Sequence, residues 1–120
     1  MTYQQYLSKY KLNKLPHEHV LSAPTRKISR MNDMCGDGLT FYFLIEEGEV
    51  KDIGFDGYGC FLSRLASSLL AKKCIGKPVA ELKEWNRERL LKLLGFPVEG
   101  VREECVLIPL RAFQSFRLKK

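Results

Sequence analysis

With 120 residues, 45% hydrophobic and 11% aromatic, the chain has the size and apolar content of one self-supporting domain, which argues against a disordered tail. The net charge of +6 is uneven: residues 1–34 carry six Lys/Arg against two acids and residues 111–120 four against none, while the middle is near neutral. Apolar runs fall short of the roughly 20 residues of a membrane span, and Met1-Thr2-Tyr3-Gln4-Gln5-Tyr6 lacks an export signature, so a cytoplasmic protein is expected, its four cysteines thiols or metal ligands rather than disulfides.

Residues 3–22 read as a weakly amphipathic helix broken by Pro16, with a loop through Pro24. Lys9, Lys11 and Lys14 beside Tyr6 and Tyr10 are the nearest thing to a nucleic-acid surface; a solvated face or a patch for an acidic partner protein is the preferred reading, and neither nucleic acid nor membrane is expected as a partner. From Gly38 the pattern turns to β: Leu39, Phe41, Phe43 and Ile45 alternate with Thr40, Tyr42 and Leu44. A turn at Glu46-Glu47-Gly48-Glu49 follows, then a second strand through Val50, Ile53 and Phe55. Gly54, Gly57 and Gly59 mark close backbone approaches near its end. After Cys60 the period becomes helical, with Leu62, Leu65, Ala66, Leu69 and Leu70 on one stripe until Gly76 and Pro78. A further helix spans about Asn86 to Leu94. The last runs from near Cys105 toward Phe116, with Pro109 expected in its first turn. Together these elements predict a single α+β domain, 1–120, with a small antiparallel sheet and helices packed on one face.

Three cysteines occupy distinct positions. Cys35-Gly36-Asp37 opens an extended segment, Gly59-Cys60 closes one, and Glu104-Cys105 begins an apolar helix. Any one of them taken singly reads first as a small buried hydrophobe. Brought together by folding, Cys35, Cys60 and Cys105 with Asp37 would make a tetrahedral site for zinc or an iron–sulfur cluster, three soft thiolates and one hard, weaker carboxylate. Cys60, at the start of a helix, would point its sulfur at free backbone N–H groups that favour the thiolate. Cys74 is excluded from that site: along one helix it lies about 20 Å from Cys60, whereas sulfurs on one zinc lie within about 4 Å of each other. His17 and His19 read as surface or packing residues, with approach to the site as the sharper alternative.

The order of these residues resembles the iron–sulfur scaffold family that includes IscU, SufU and the N-terminal domain of NifU. The resemblance runs from about His19 to Phe113. It rests on Cys35-Gly36-Asp37, on Gly57-Tyr58-Gly59-Cys60-Phe61-Leu62-Ser63, on Ala66-Ser67-Ser68 and Gly76-Lys77, and on Arg102, Cys105 and Leu107. It implies a SufE/NifU-like fold and a scaffold, not an enzyme, with Cys35, Asp37, Cys60 and Cys105 as ligands of zinc or a nascent [2Fe-2S] cluster. The partners it implies are a cysteine desulfurase supplying persulfide sulfur, an iron donor, and acceptor apoproteins.

The chain departs from that pattern in two places. Glu104 stands where IscU-type members have histidine and SufU-type members lysine; it is a candidate second hard ligand or an exposed first-turn acid. Gly95-Phe96-Pro97-Val98-Glu99 carries an acid where the chaperone-recognised segment of IscU has lysine. Two other functions compete with the scaffold reading. A zinc-stabilised interaction module without transfer chemistry would normally show paired Cys-x-x-Cys knuckles, which are absent. An enzyme with a cysteine nucleophile would need His17 or His19 as its base.

Overall fold

The computed structural model of the protein describes residues 2–10, 14–31 and 38–116, with the side chains of all but 101 and 102. A three-stranded antiparallel sheet, β1 (Arg26–Met31), β2 (Gly38–Glu46) and β3 (Glu49–Tyr58), is ordered as in the chain. Helix α1 (Tyr3–Tyr10) precedes it. Helix α2 (Phe61–Cys74), a 3-10 helix (Val79–Glu84), α3 (Arg87–Leu94) and α4 (Val101–Gln114) follow.

The hairpin follows the side-chain alternation. Leu39, Phe41 and Phe43 point into the core, while Thr40, Tyr42 and Leu44 face outward and are only partly covered. Glu47 and Gly48 both adopt positive φ, 54° and 76°, as a tight two-residue hairpin turn requires. Val50 and Ile53 are three apart, yet both are buried. The register explains this: Leu44 pairs with Asp52 but Ile45 with Val50, so Lys51 is an extra residue and the bulge resets which face the strand buries.

Helices α2 and α4 cover the inner face of the sheet. The Phe113 ring lies 4.9 Å from Phe41 and 6.1 Å from Phe43, and Phe116 lies 5.3 Å from Phe43. Helix α2 is buried nearly all round. Its serines are accommodated because Ser67 donates to the Ser63 carbonyl and Ser68 to the Pro16 carbonyl. Asn86 caps α3 by accepting from the Arg89 N–H, and Gly95, at φ 79°, ends it.

Two sequence expectations are corrected and one element is added. The N-terminal helix ends at Tyr10, and 14–25 is irregular chain rather than helix. Arg26–Met31, to which the sequence pattern assigned no element, is an edge strand. Arg26 and Ile28 are partly covered while Lys27 and Ser29 are exposed, but Ile28 is the one apolar residue on that face, so no hydrophobic alternation marks the strand, and its charged, polar composition suits an exposed edge. Helix α4 begins at Val101, which places Pro109 in its interior and not in the first turn. The proline has no N–H to give the Cys105 carbonyl. The helix continues because Val106, Ile108, Leu110, Ala112 and Phe113 bury its flank.

Candidate metal and cluster site

Both helices that carry a described candidate ligand run the same way. At its C-terminal end α2 is tied to the hairpin turn: the Gly76 N–H donates to the Val50 carbonyl (2.8 Å) and the Val79 N–H to the Gly48 carbonyl (2.9 Å). The C-terminal end of α4 lies over that half of the sheet too, where the Arg26 guanidinium stacks 4.8 Å from the Phe116 ring. At their other ends, the Tyr3 ring meets Phe61, the first residue of α2, at 6.0 Å, and Phe96, in the loop leading to α4, at 5.7 Å. The N-terminal ends of α2 and α4 therefore lie toward one end of the domain, where Gly38 pairs with Tyr58.

Cys60 is the N-cap of α2 and is half-buried. Gly59 before it, at φ 131°, takes a backbone conformation that a side chain would oppose, so glycine turns the strand into the helix there. The Cys60 sulfur accepts no capping hydrogen bond from the first turn, which corrects the expectation that it points at the free backbone N–H groups there. Cys105, also half-buried, sits one turn into α4. Cys35 and Asp37 lie outside the described residues; the chain enters β2 at Gly38, opposite Tyr58 and two residues from Cys60 in β3's continuation. Among the described residues no three of His, Cys, Asp and Glu gather as a metal site.

The remaining candidates are placed as follows. Glu104 is exposed, its carboxylate 3.4 Å from Arg111. Cys74 is buried, 2% exposed, and its thiol donates to the Ala71 carbonyl. Burial pushes that thiol up to about 12, which keeps it protonated and unreactive. In native protein, iodoacetamide should modify Cys60 while leaving Cys74 intact until denaturant is added; equal labelling of the two by peptide mass spectrometry would contradict this placement.

His17 and His19 lie beside the middle of β3. The Phe55 N–H donates to the His17 carbonyl at 2.9 Å, and a Cβ on Gly54 would meet the His19 carbonyl oxygen at 2.2 Å, so that glycine admits the crossing chain. An ion pair absent from the sequence reading pins this segment to α2. Arg64 holds Glu18 through two hydrogen bonds of 2.7 Å, forty-six residues apart in the chain, and so without a local sequence signature. Burial raises the Glu18 carboxyl, but the Arg64 hydrogen bond, the Leu15 N–H and the nearby positive charge outweigh it and hold it below its ordinary 4.5.

The stability Glu18 contributes is therefore present above the unfolded carboxylate value and is lost as pH falls through the lower folded one. Glu18→Gln should cost about 1–3 kcal/mol of unfolding free energy near neutral pH. The gap to wild type should close in acid. A gap that stays constant down to acid pH in denaturant titrations would show that the charge is not what holds the segment.

Residues 16–114 match the family model described as NifU-like N terminal domain. Over 51 residues the chain is 43% identical to the iron-sulfur cluster assembly scaffold protein IscU of Thermotoga maritima, covering 42% of this chain and 36% of that protein. Over 69 residues it is 32% identical to IscU of Streptococcus pyogenes serotype M1, covering 58% of this chain and 43% of the relative. The chain thus spans less than half the length of these relatives. Among solved structures, a putative SUF-system scaffold protein from Fervidobacterium islandicum superposes with a TM-score of 0.66 over 91% of this chain and 89% of its own, at 22% identity. A NifU-like N-terminal protein from Brucella abortus gives 0.64 over 84% and 82%, at 24% identity. At such identities the likeness is one of fold. The family model, matching nearly the whole chain, carries the assignment: the chain belongs to the NifU-like N-terminal domain family.

Proposed function

We propose that the chain is an iron–sulfur cluster assembly scaffold, acting in the cytoplasm. It receives persulfide sulfur from a cysteine desulfurase, gathers ferrous iron from a donor, takes up electrons from an external reductant that convert the persulfide sulfur to sulfide, and passes a nascent [2Fe-2S] cluster to acceptor apoproteins. The observation that supports this reading most is family membership over residues 16–114 combined with the position of two thiols. Cys60 and Cys105 stand at the N-terminal ends of α2 and α4, toward the same end of the domain, half-buried and so open to exchange. The strand paired to Tyr58 is entered directly from Asp37.

In this reading Cys35, Cys60 and Cys105 supply thiolates, which soft iron in a sulfide environment prefers, and Asp37 supplies the oxygen ligand that leaves most readily. The Glu104 carboxylate, exposed and beside Arg111, is better suited to meeting a partner than to holding metal. Zinc fills the same ligand set in protein handled in air, since it needs no redox chemistry.

Anaerobic incubation with ferrous iron, cysteine, a cysteine desulfurase and excess dithiothreitol, which reduces the persulfide sulfur to sulfide, tests the reading. Visible absorbance of a [2Fe-2S] cluster should grow to about one cluster per chain or per pair of chains. Zinc retention with no such absorbance, under conditions where the desulfurase is active, would instead support a zinc-stabilised interaction module.

A further inference from the structure

The single tryptophan lies at the end of α2 remote from Cys60, beneath a group of cations. Trp85 is 8% exposed; Lys73 and Lys77 flank it from the end of α2 and the turn beyond, and Arg89 and Lys92 from α3. Lys73, Lys77, Trp85 and Arg89 line one shallow depression, with Glu81 in its wall, and Trp85, Arg89 and Lys92 line an adjoining one. All four cations are exposed. None of them has a carboxylate partner among the described residues, although Arg87 nearby is paired with Glu103.

Arg89 is held in place. Its guanidinium lies 4.2 Å from the indole centroid, and one nitrogen donates to the Glu84 carbonyl at 3.3 Å. The fork is oriented before anything binds, so less side-chain freedom is lost when its remaining N–H groups take an anion. The indole is covered on the face that carries the guanidinium, which leaves no ring open for the base stacking that single-stranded nucleic acid binders use.

We propose that this face docks a carboxylate-rich segment of a partner protein, with Arg89 as the bidentate anchor and Lys73, Lys77 and Lys92 attracting the flanking acids. The surface lies about one α2 length, roughly 20 Å, from Cys60, so a partner held here leaves the cysteine end open. This inference does not depend on cluster chemistry.

Trp85 reports on the surface directly, as the sole indole touching Arg89. The probe is a short synthetic peptide of alternating Asp and Glu, titrated at low salt into the full chain while tryptophan emission is followed. Emission should change saturably, and the affinity should fall steeply with added salt. Lys73→Glu with Lys92→Glu should weaken binding about tenfold or more. Lys9→Glu with Lys27→Glu lowers net charge equally at exposed positions elsewhere and should leave affinity within about twofold. Thermal unfolding and zinc content should match wild type in both double variants, which separates loss of docking from loss of fold. Equal weakening by both would reduce the surface to net charge and overturn the proposal. So would the absence of a saturable change, or an oligouridylate that binds with the same dependence on Lys73 and Lys92 while the peptide does not.

Discussion

Cys60→Ser should strip most of the zinc from protein purified in air, and Cys35→Ser and Cys105→Ser should do the same, while Cys74→Ser leaves it in place. Apparent zinc binding at thiolate-rich sites is on the order of 10–16 kcal/mol. One ligand of four then accounts for about 2–4 kcal/mol, roughly 30- to 700-fold in affinity. A serine hydroxyl does not replace a thiolate, being a hard donor that stays protonated at neutral pH. Cys74 differs by location and state: it closes α2 at the hairpin end, 2% exposed, with a thiol held protonated by burial. Metal analysis of the four variants checks this, with thermal unfolding to confirm that each still folds. Zinc loss from Cys74→Ser as large as from Cys60→Ser would show that the ligand set is wrong.

The second large effect concerns Asp37. If its carboxylate is the weak corner, Asp37→Ala should still assemble a cluster on three thiolates, and handover should slow by about tenfold or more, because the readily broken Fe–O bond has gone. Gly36-Asp37-Gly38 is equally a turn sequence. Were turn formation its only role, Asp37→Asn would keep the local hydrogen bonds and leave both steps unchanged. Transfer rates for wild type, Asp37→Ala and Asp37→Asn distinguish the roles. Equal rates in all three would remove Asp37 from the mechanism.

How much of this was legible in the sequence varied with how local the signal is. The hairpin was readable because Leu39, Phe41 and Phe43 alternate cleanly with polar neighbours and the turn falls on Glu47-Gly48. Helix α2 announced itself through Leu62, Leu65, Ala66 and Leu70, all buried, with Leu69 half-buried beside them. β1 was hidden because an edge strand needs few inward apolar residues, and Arg26, Lys27 and Arg30 leave Ile28 as the one apolar residue on its inner face. Pro109 drew the expected start of α4 four residues late, since its cost to the helix is offset by burial that only tertiary packing supplies.

At the site, the position of Cys60 followed from the change of period after it, whereas Cys105, expected to begin α4, sits one turn inside it. The Glu18–Arg64 pair and the Tyr3 ring shared by Phe61 and Phe96 joined elements of no recognisable local pattern. Such contacts arise from packing, so they are absent from any window of sequence.

The central claim is that this domain builds a cluster in order to give it away. The most direct measurement reconstitutes the full chain anaerobically, removes free iron and sulfide by gel filtration, mixes it with an apo-ferredoxin and follows circular dichroism as the cluster moves. The account predicts that the ferredoxin signal grows at the expense of the scaffold's, with a chelator in solution capturing little iron. A ferredoxin that stays apo while the scaffold keeps its cluster, or iron that goes to the chelator instead, would contradict it.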